Sequence, residues 1–250
     1  MKDLERIVFY RLTLLSFMEC MTPAFVQNLA RLYHDDPSLR NWLWNTWHTE
    51  EVAHGNWIRS YIRQTWPQFD WDGAYVEFAT QFALRNQYEH GHSTPALAAL
   101  GRCGVEAQAT AVYRSLADMV TDKRLVELLG KIADDHQRHF HVFRRTFERY
   151  SQTEKVSIWQ RVSTLLNRAR KIQRTDLTLA FEAVHQHWNG AMPFEKLTAR
   201  DFQQRSTRAL YQSLAHEEAR QMLGKFFNRD AWLPRQVYRF ISWRLVQNAV

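Results

Sequence analysis

Glu51 and His54 are the residues from which chemistry can first be read. They stand three positions apart in Thr49-Glu50-Glu51-Val52-Ala53-His54, and on an α-helix residues so spaced project from one face. One carboxylate and one imidazole placed this way form half of the ligand set that a helical bundle offers a metal ion. A single Glu-x-x-His arises easily by chance, so its weight depends on what else the chain supplies. Lone acids in apolar surroundings are informative, because a carboxylate is costly to bury without a partner. Glu19 in Phe17-Met18-Glu19-Cys20-Met21 and Glu106 in Gly104-Val105-Glu106-Ala107-Gln108-Ala109 are such acids, on separate predicted helices. The stretch Ile132-Ala133-Asp134-Asp135-His136-Gln137-Arg138-His139-Phe140 adds Asp135, His136 and His139. Carboxylates and imidazoles together suit iron or manganese and leave positions open for dioxygen.

These residues need helices to position them, and the chain reads as helical throughout. Eight glycines and six prolines in 250 residues, with long stretches free of both, argue against many-turned β structure. Asp3 is placed to cap a first helix, with Ile7, Leu14, Leu15 and Met18 at helical spacing, and Pro23 kinks it or joins two pieces. Asp36-Pro37 predicts the start of a second helix running to about Pro67, with Glu51 and His54 among its tryptophans. Asp72-Gly73 opens a third segment, ending near Gly91. The next two pass through Glu106, to Thr121-Asp122, and through His136, to about Tyr150. Ser151-x-x-Glu154 reads as the capping box of a further helix, ending at Arg168-Ala169-Arg170-Lys171. Thr175-Asp176, Thr198-Ala199-Arg200-Asp201 and Pro234 begin three more. With no repeat, low-complexity segment or linker, the expectation is one all-α domain over 1–250, a four-helix core over about 3–150 and accessory helices over about 151–250.

Composition narrows the function classes. No apolar run approaches the roughly twenty residues of a membrane span, and Met1-Lys2-Asp3-Leu4-Glu5-Arg6 lacks the apolar core of a signal peptide. Cys20 and Cys103 are too few for a disulfide framework or a thiolate zinc site. The expectation is a cytoplasmic protein. The net charge of +7 favours acidic partners. Arg168, Arg170, Lys171 and Arg174 form one basic cluster, and Arg235, Arg239 and Arg244 another. No nucleic-acid recognition motif is present.

The order of the candidate ligands resembles that of the acyl-[acyl-carrier-protein] desaturases of the ferritin-like superfamily. Their pattern is a Glu on one helix, Glu-Glu-x-x-His-Gly on the next, a lone Glu, then Asp-Glu-x-Arg-His. Glu19 takes the first place, Glu50-Glu51-Val52-Ala53-His54-Gly55 the second, Glu106 the third and Ala133-Asp134-Asp135-His136-Gln137-Arg138-His139 the fourth. The similarity covers roughly residues 10–150 and fades beyond. It implies a ferritin-like four-helix bundle with additional C-terminal helices, and two iron ions or a manganese–iron pair. It also implies dioxygen as co-substrate, acyl carrier protein as substrate carrier and an electron donor such as ferredoxin. Dimers are common in that family, which leaves a homodimer open.

Two departures alter the expectation. His136 falls where the family has a bridging Glu, and a neutral imidazole normally binds one metal through one nitrogen. Asp135, four residues before His139 and so on its face, is one replacement; the negative charge a two-metal site needs favours it. His136 as a ligand of a His-rich site, similar to the arylamine N-oxygenases of the superfamily, is another, and loss of the second metal position is a third. Ala109 stands one turn after Glu106, where the desaturases carry a Thr. The leading expectation is a dioxygen-activating di-iron oxidoreductase acting on an acyl chain bound to acyl carrier protein, by desaturation or hydroxylation. The alternatives are an N-oxygenase or hydroxylase of an amine or carrier-tethered amino-acyl group, and a non-catalytic ferritin-like protein that binds carrier protein.

Overall fold

The computed structural model describes residues 2–86, 94–171, 176–194, 198–211 and 215–226. Within them the secondary structure is helical, apart from an isolated bridge between Phe69 and Trp188. No helix among the described residues is long and apolar enough to cross a membrane. The chain divides into two compact units, Met1–Gly91 with Arg174–Phe202, and His92–Gln173 with Gln203–Val250.

The first unit holds α1 (Lys2–Cys20), α2 (Thr22–Leu32), α3 (Pro37–Trp42), a π-helical turn (Leu43–Trp47), α4 (His48–Thr65), α5 (Trp71–Asn86) and α9 (Leu177–Gln186). Helix α1 is buried along nearly its whole length, as a helix without a strongly polar face must be. It packs chiefly against α4 and also against α9. Phe9 anchors an aromatic cluster, its ring 4.8 to 5.5 Å from those of Tyr10, Trp66, Phe69, Trp188 and Phe194. Trp71 reaches into the same interior and donates its indole N–H to Ser16 Oγ at 2.8 Å. The join between α1 and α2 falls at Met21, with Pro23 in the first turn of α2, where its missing N–H costs nothing. Asp36 caps α3 through Leu39 N at 3.0 Å, with Pro37 first, as its sequence predicts.

In the second unit, α6 (Pro95–Met119) and α7 (Lys123–Glu154) are joined by three residues, which makes them an antiparallel hairpin. Helices α8 (Ile158–Lys171) and α11 (Ala215–Gly224) pack on α6. Arg114 of α6 ties Asp134 of α7, at 2.9 Å, to Glu218 of α11, at 2.7 Å. Helix α10 (Ala199–Tyr211) begins in the first unit, where Phe202 packs on Tyr10 and Phe181. Its later turns belong to the second, where Leu210 O accepts from Ser115 Oγ at 3.4 Å.

One predicted boundary is corrected. Ser151 and Glu154 do not start a helix: α7 runs through both and ends at Lys155, whose φ of 49° is left-handed. The capping box lies six residues on. Ser157 Oγ accepts from Gln160 N at 3.3 Å, and Gln160 Oε1 accepts from Ser157 N at 2.8 Å. Glu154 instead caps α6, accepting from Ala96 N and from the Thr94 hydroxyl. The helix expected at Pro234 and the end of the third segment near Gly91 lie outside the described residues.

Candidate metal sites

Buried positions of α4 follow one stripe, Glu51, His54, Gly55, Ile58 and Ile62. In α7 they run Leu129, Ile132, His136, His139, Phe140 and Phe143. Glu106 occupies the corresponding stripe of α6 with Cys103, Ala107 and Thr110. Ionisable side chains thus stand at positions where helical packing calls for apolar ones. Exposure is 5% for Glu19, 4% for Glu51, 0% for His54, 0% for Glu106, 2% for His136 and 1% for His139. Charged or polar groups so deep are costly unless they bind one another or a cation.

Each unit gathers a group of its own. In the first, Glu19 of α1 and Glu51 and His54 of α4 bring ligand atoms within 4.8 Å of one another. In the second, Glu106 of α6 and His136 and His139 of α7 do the same. The donors that the units themselves supply are two carboxylates and an imidazole in the first, and one carboxylate and two imidazoles in the second. Both sets fit a borderline divalent ion such as iron(II) or manganese(II). Buried Glu/His groups at metal-binding distance are thus present in both units.

Close helix packing makes the first group. A Cβ at Gly55 would lie 2.6 Å from Cys20 Sγ, 3.0 Å from Cys20 N and 3.1 Å from Glu19 Cβ. Glycine at this position lets α4 approach the turn of α1 that carries Glu19. Trp57, one turn after His54 and partly exposed, places its ring 5.6 Å from the imidazole. Burial, with the Glu19 carboxylate beside it, pushes the Cys20 thiol up to about 11, so it stays protonated.

In the second group every oxygen of Glu106 has a partner. Oε1 accepts from Arg102 Nη2 at 2.8 Å, and Oε2 lies 2.7 Å from His136 Nδ1 and 3.8 Å from His139 Nδ1. Tyr113 stacks on His136, with centroids 5.2 Å apart. Burial alone would raise the Glu106 carboxyl. The Arg102 guanidinium and the two histidines outweigh it and hold the group well below its ordinary 4.5. A carboxyl depressed on folding contributes stability that is present above its unfolded value and lost as pH falls below it. The metal-free protein is therefore expected to lose stability progressively as pH falls below about 4.5. Glu106→Gln should flatten that limb in urea melts taken across the range.

The other sequence candidates fall elsewhere. Asp135 is 6% exposed, but its carboxylate pairs with Arg138 one turn on. Asp134 is exposed and paired with Arg114. Thr110 donates its hydroxyl to Glu106 O at 2.8 Å. Arg168 is exposed beside Gly101, with its Nε 3.2 Å from where a Cβ would sit. Arg170 and Lys171 complete α8, while Arg174 and the cluster Arg235, Arg239 and Arg244 lie outside the described residues. His185 packs against Tyr10 and Phe181, with Nδ1 2.9 Å from Phe181 O. Sequence reasoning missed Arg102 and Tyr113. Arg102 left a signal in its i,i+4 spacing to Glu106; a stacking tyrosine leaves none. Comparison with protein-family models, with curated proteins and with solved structures gives no match.

Proposed function

We propose that this chain is a dioxygen-activating di-iron oxidoreductase of ferritin-like fold, holding one iron in each of the two buried Glu/His groups. The observation that carries the reading is the replacement of core-facing apolar residues by Glu19, Glu51 and His54 in one unit and Glu106, His136 and His139 in the other. Iron, when bound, supplies the activation of dioxygen that no side chain can perform. The protein's part is to hold and shield. Glu19, Glu51 and His54 would ligate one ion, with Trp47 and Ile58 of the same stretch excluding water. Glu106, His136 and His139 would ligate the other, with Tyr113 stacked on His136 and Phe143 against Arg102. His136 Nδ1 and Glu106 Oε2, 2.7 Å apart, hold a proton between them that binding of an ion would release.

The substrate class that the desaturase resemblance favours is an acyl chain delivered by acyl carrier protein. Arg168, Arg170, Lys171 and Arg174 are the cations suited to that acidic carrier, or to a ferredoxin-type electron donor. A cytoplasmic location is part of the same reading. A second reading, oxygenation of an amine or carrier-tethered amino-acyl group, gains from one observation: His136, and not Asp135, joins Glu106 and His139.

The test is single-turnover dioxygen consumption by iron-loaded, reduced protein, with products read by mass. A loss of two hydrogens or a gain of one oxygen on an acyl-carrier substrate supports the first reading. A gain of oxygen on nitrogen supports the second. Carrier-protein binding by a chain that takes up no iron would replace both with a non-catalytic role.

A further inference from the structure

The side of α4 turned away from its buried stripe is polar. Asn56, Arg59, Ser60, Arg63 and Gln64 recur at i, i+3, i+4, i+7 and i+8, so they share one face of the helix. They line a groove of about 410 Å³, a size that suits a small ligand. No acid lines it among the described residues. Both guanidiniums are held from the side of α5. Arg59 lies over the ring of Trp71, 4.7 Å from its centroid. That ring is itself fixed, since Trp71 is 3% exposed and donates its N–H to Ser16 Oγ. Asp72 pairs with both arginines, meeting Arg59 Nη2 with Oδ1 and Arg63 Nη1 with Oδ2. Each guanidinium carries five N–H donors, and Asp72 takes up one nitrogen of each, so both keep donors for a second acceptor. Two cations against one carboxylate also leave one positive charge uncompensated. The Arg63 and Asp72 side chains are 56% and 52% exposed, so water screens their attraction and little is lost when a more highly charged acceptor draws Arg63 to itself. The Ser60 hydroxyl, which donates to Asn56 O at 2.8 Å, can rotate to the same acceptor. A phosphate group brings three oxygens and a charge approaching −2. It thus matches two planar forks better than a carboxylate does.

We infer that this groove on α4 binds a phosphate group, free or as the monoester of a small molecule. Arg59 and Arg63 supply the charge, and Asn56, Ser60 and Gln64 supply further polar groups along the same face. Trp71 and Asp72 hold the guanidiniums in place beforehand, which lowers the cost of ordering them on binding. The inference stands apart from the metal reading, because none of these residues belongs to either buried group.

The test is a calorimetric titration of the full chain with inorganic phosphate and, separately, with phenyl phosphate. Wild type should bind saturably and one to one. Tighter binding of phenyl phosphate assigns the site to a phosphorylated small molecule, and tighter binding of phosphate assigns it to the free ion. Arg59→Gln and Arg63→Gln should each weaken binding at least tenfold. Arg40→Gln, at an exposed arginine of α3 outside the groove, should leave it unchanged. No saturable binding by wild type, binding unmoved by Arg63→Gln, or equal weakening by Arg40→Gln overturns the inference. Arg59 and Arg63 are then surface partners of Asp72 and nothing more. Arg63 is more than half exposed, so its variant decides the matter even if Arg59→Gln, which uncovers Trp71, fails to fold.

Discussion

The Glu51→Ala protein is expected to lose the metal of the first unit while remaining folded. Glu51 is 4% exposed in the buried stripe of α4, one turn before His54. Its removal leaves Glu19 and His54, a carboxylate and an imidazole, which cannot hold a borderline ion against water. A loss of a thousandfold or more in affinity, about 4 kcal/mol, is the expected scale. Stability without metal should move the other way or not at all. Alanine is the best helix former, and the substitution removes a carboxylate from a position where it is costly to bury. The paired measurement is metal affinity by titration and unfolding of the metal-free protein. A variant with full metal affinity removes Glu51 from the site. A variant that unfolds would make it a structural residue.

Gly55→Val should be damaging for the opposite reason. Space is lacking there, since even a Cβ would meet Cys20 Sγ at 2.6 Å and the backbone nitrogen of Cys20 at 3.0 Å. The thiol can turn aside, but the backbone cannot without moving α1. Overpacking of this kind costs about 1–3 kcal/mol, partly offset because glycine is a poor helix former. The larger effect falls on the ligands, because α1 carries Glu19 on the residue next to the clash. Metal affinity should fall by more than stability does, with Gly55→Ala intermediate in both. Denaturant melts and metal titrations on the two variants check the order. Equal tolerance of alanine and valine would contradict the close approach of α1 and α4.

Much of the local structure was legible because particular residues act through short-range chemistry. Asp36-Pro37 and Thr94-Pro95 mark helix starts by a capping side chain and a proline that needs no N–H partner. The Ser151 capping box misled because serine and glutamate at this spacing also occur inside a long helix. Ser151 Oγ simply bonds back to Glu148 O at 3.1 Å. The π-helical turn Leu43–Trp47 had no sequence mark, and the stretch from Pro37 to Thr65 read as one regular helix. Glu19, Glu51, His54, Glu106, Asp135, His136 and His139 were readable as candidates because charge in apolar surroundings is conspicuous, and all seven are buried. The partition between Asp135 and His136 was not readable. The two are adjacent, each has a helical relation to His139, and only the neighbours they meet separate them. Asp135 meets Arg138, and His136 meets Glu106.

The most direct test is metal content per chain, measured on protein expressed with iron, for wild type, His136→Ala and Asp135→Ala. Two buried ligand groups predict about two irons in wild type, about one in His136→Ala, and no loss in Asp135→Ala. Loss of iron with Asp135 and not with His136 would contradict the assignment of the second group. A wild-type chain that takes up no iron would contradict the metal-centred account as a whole.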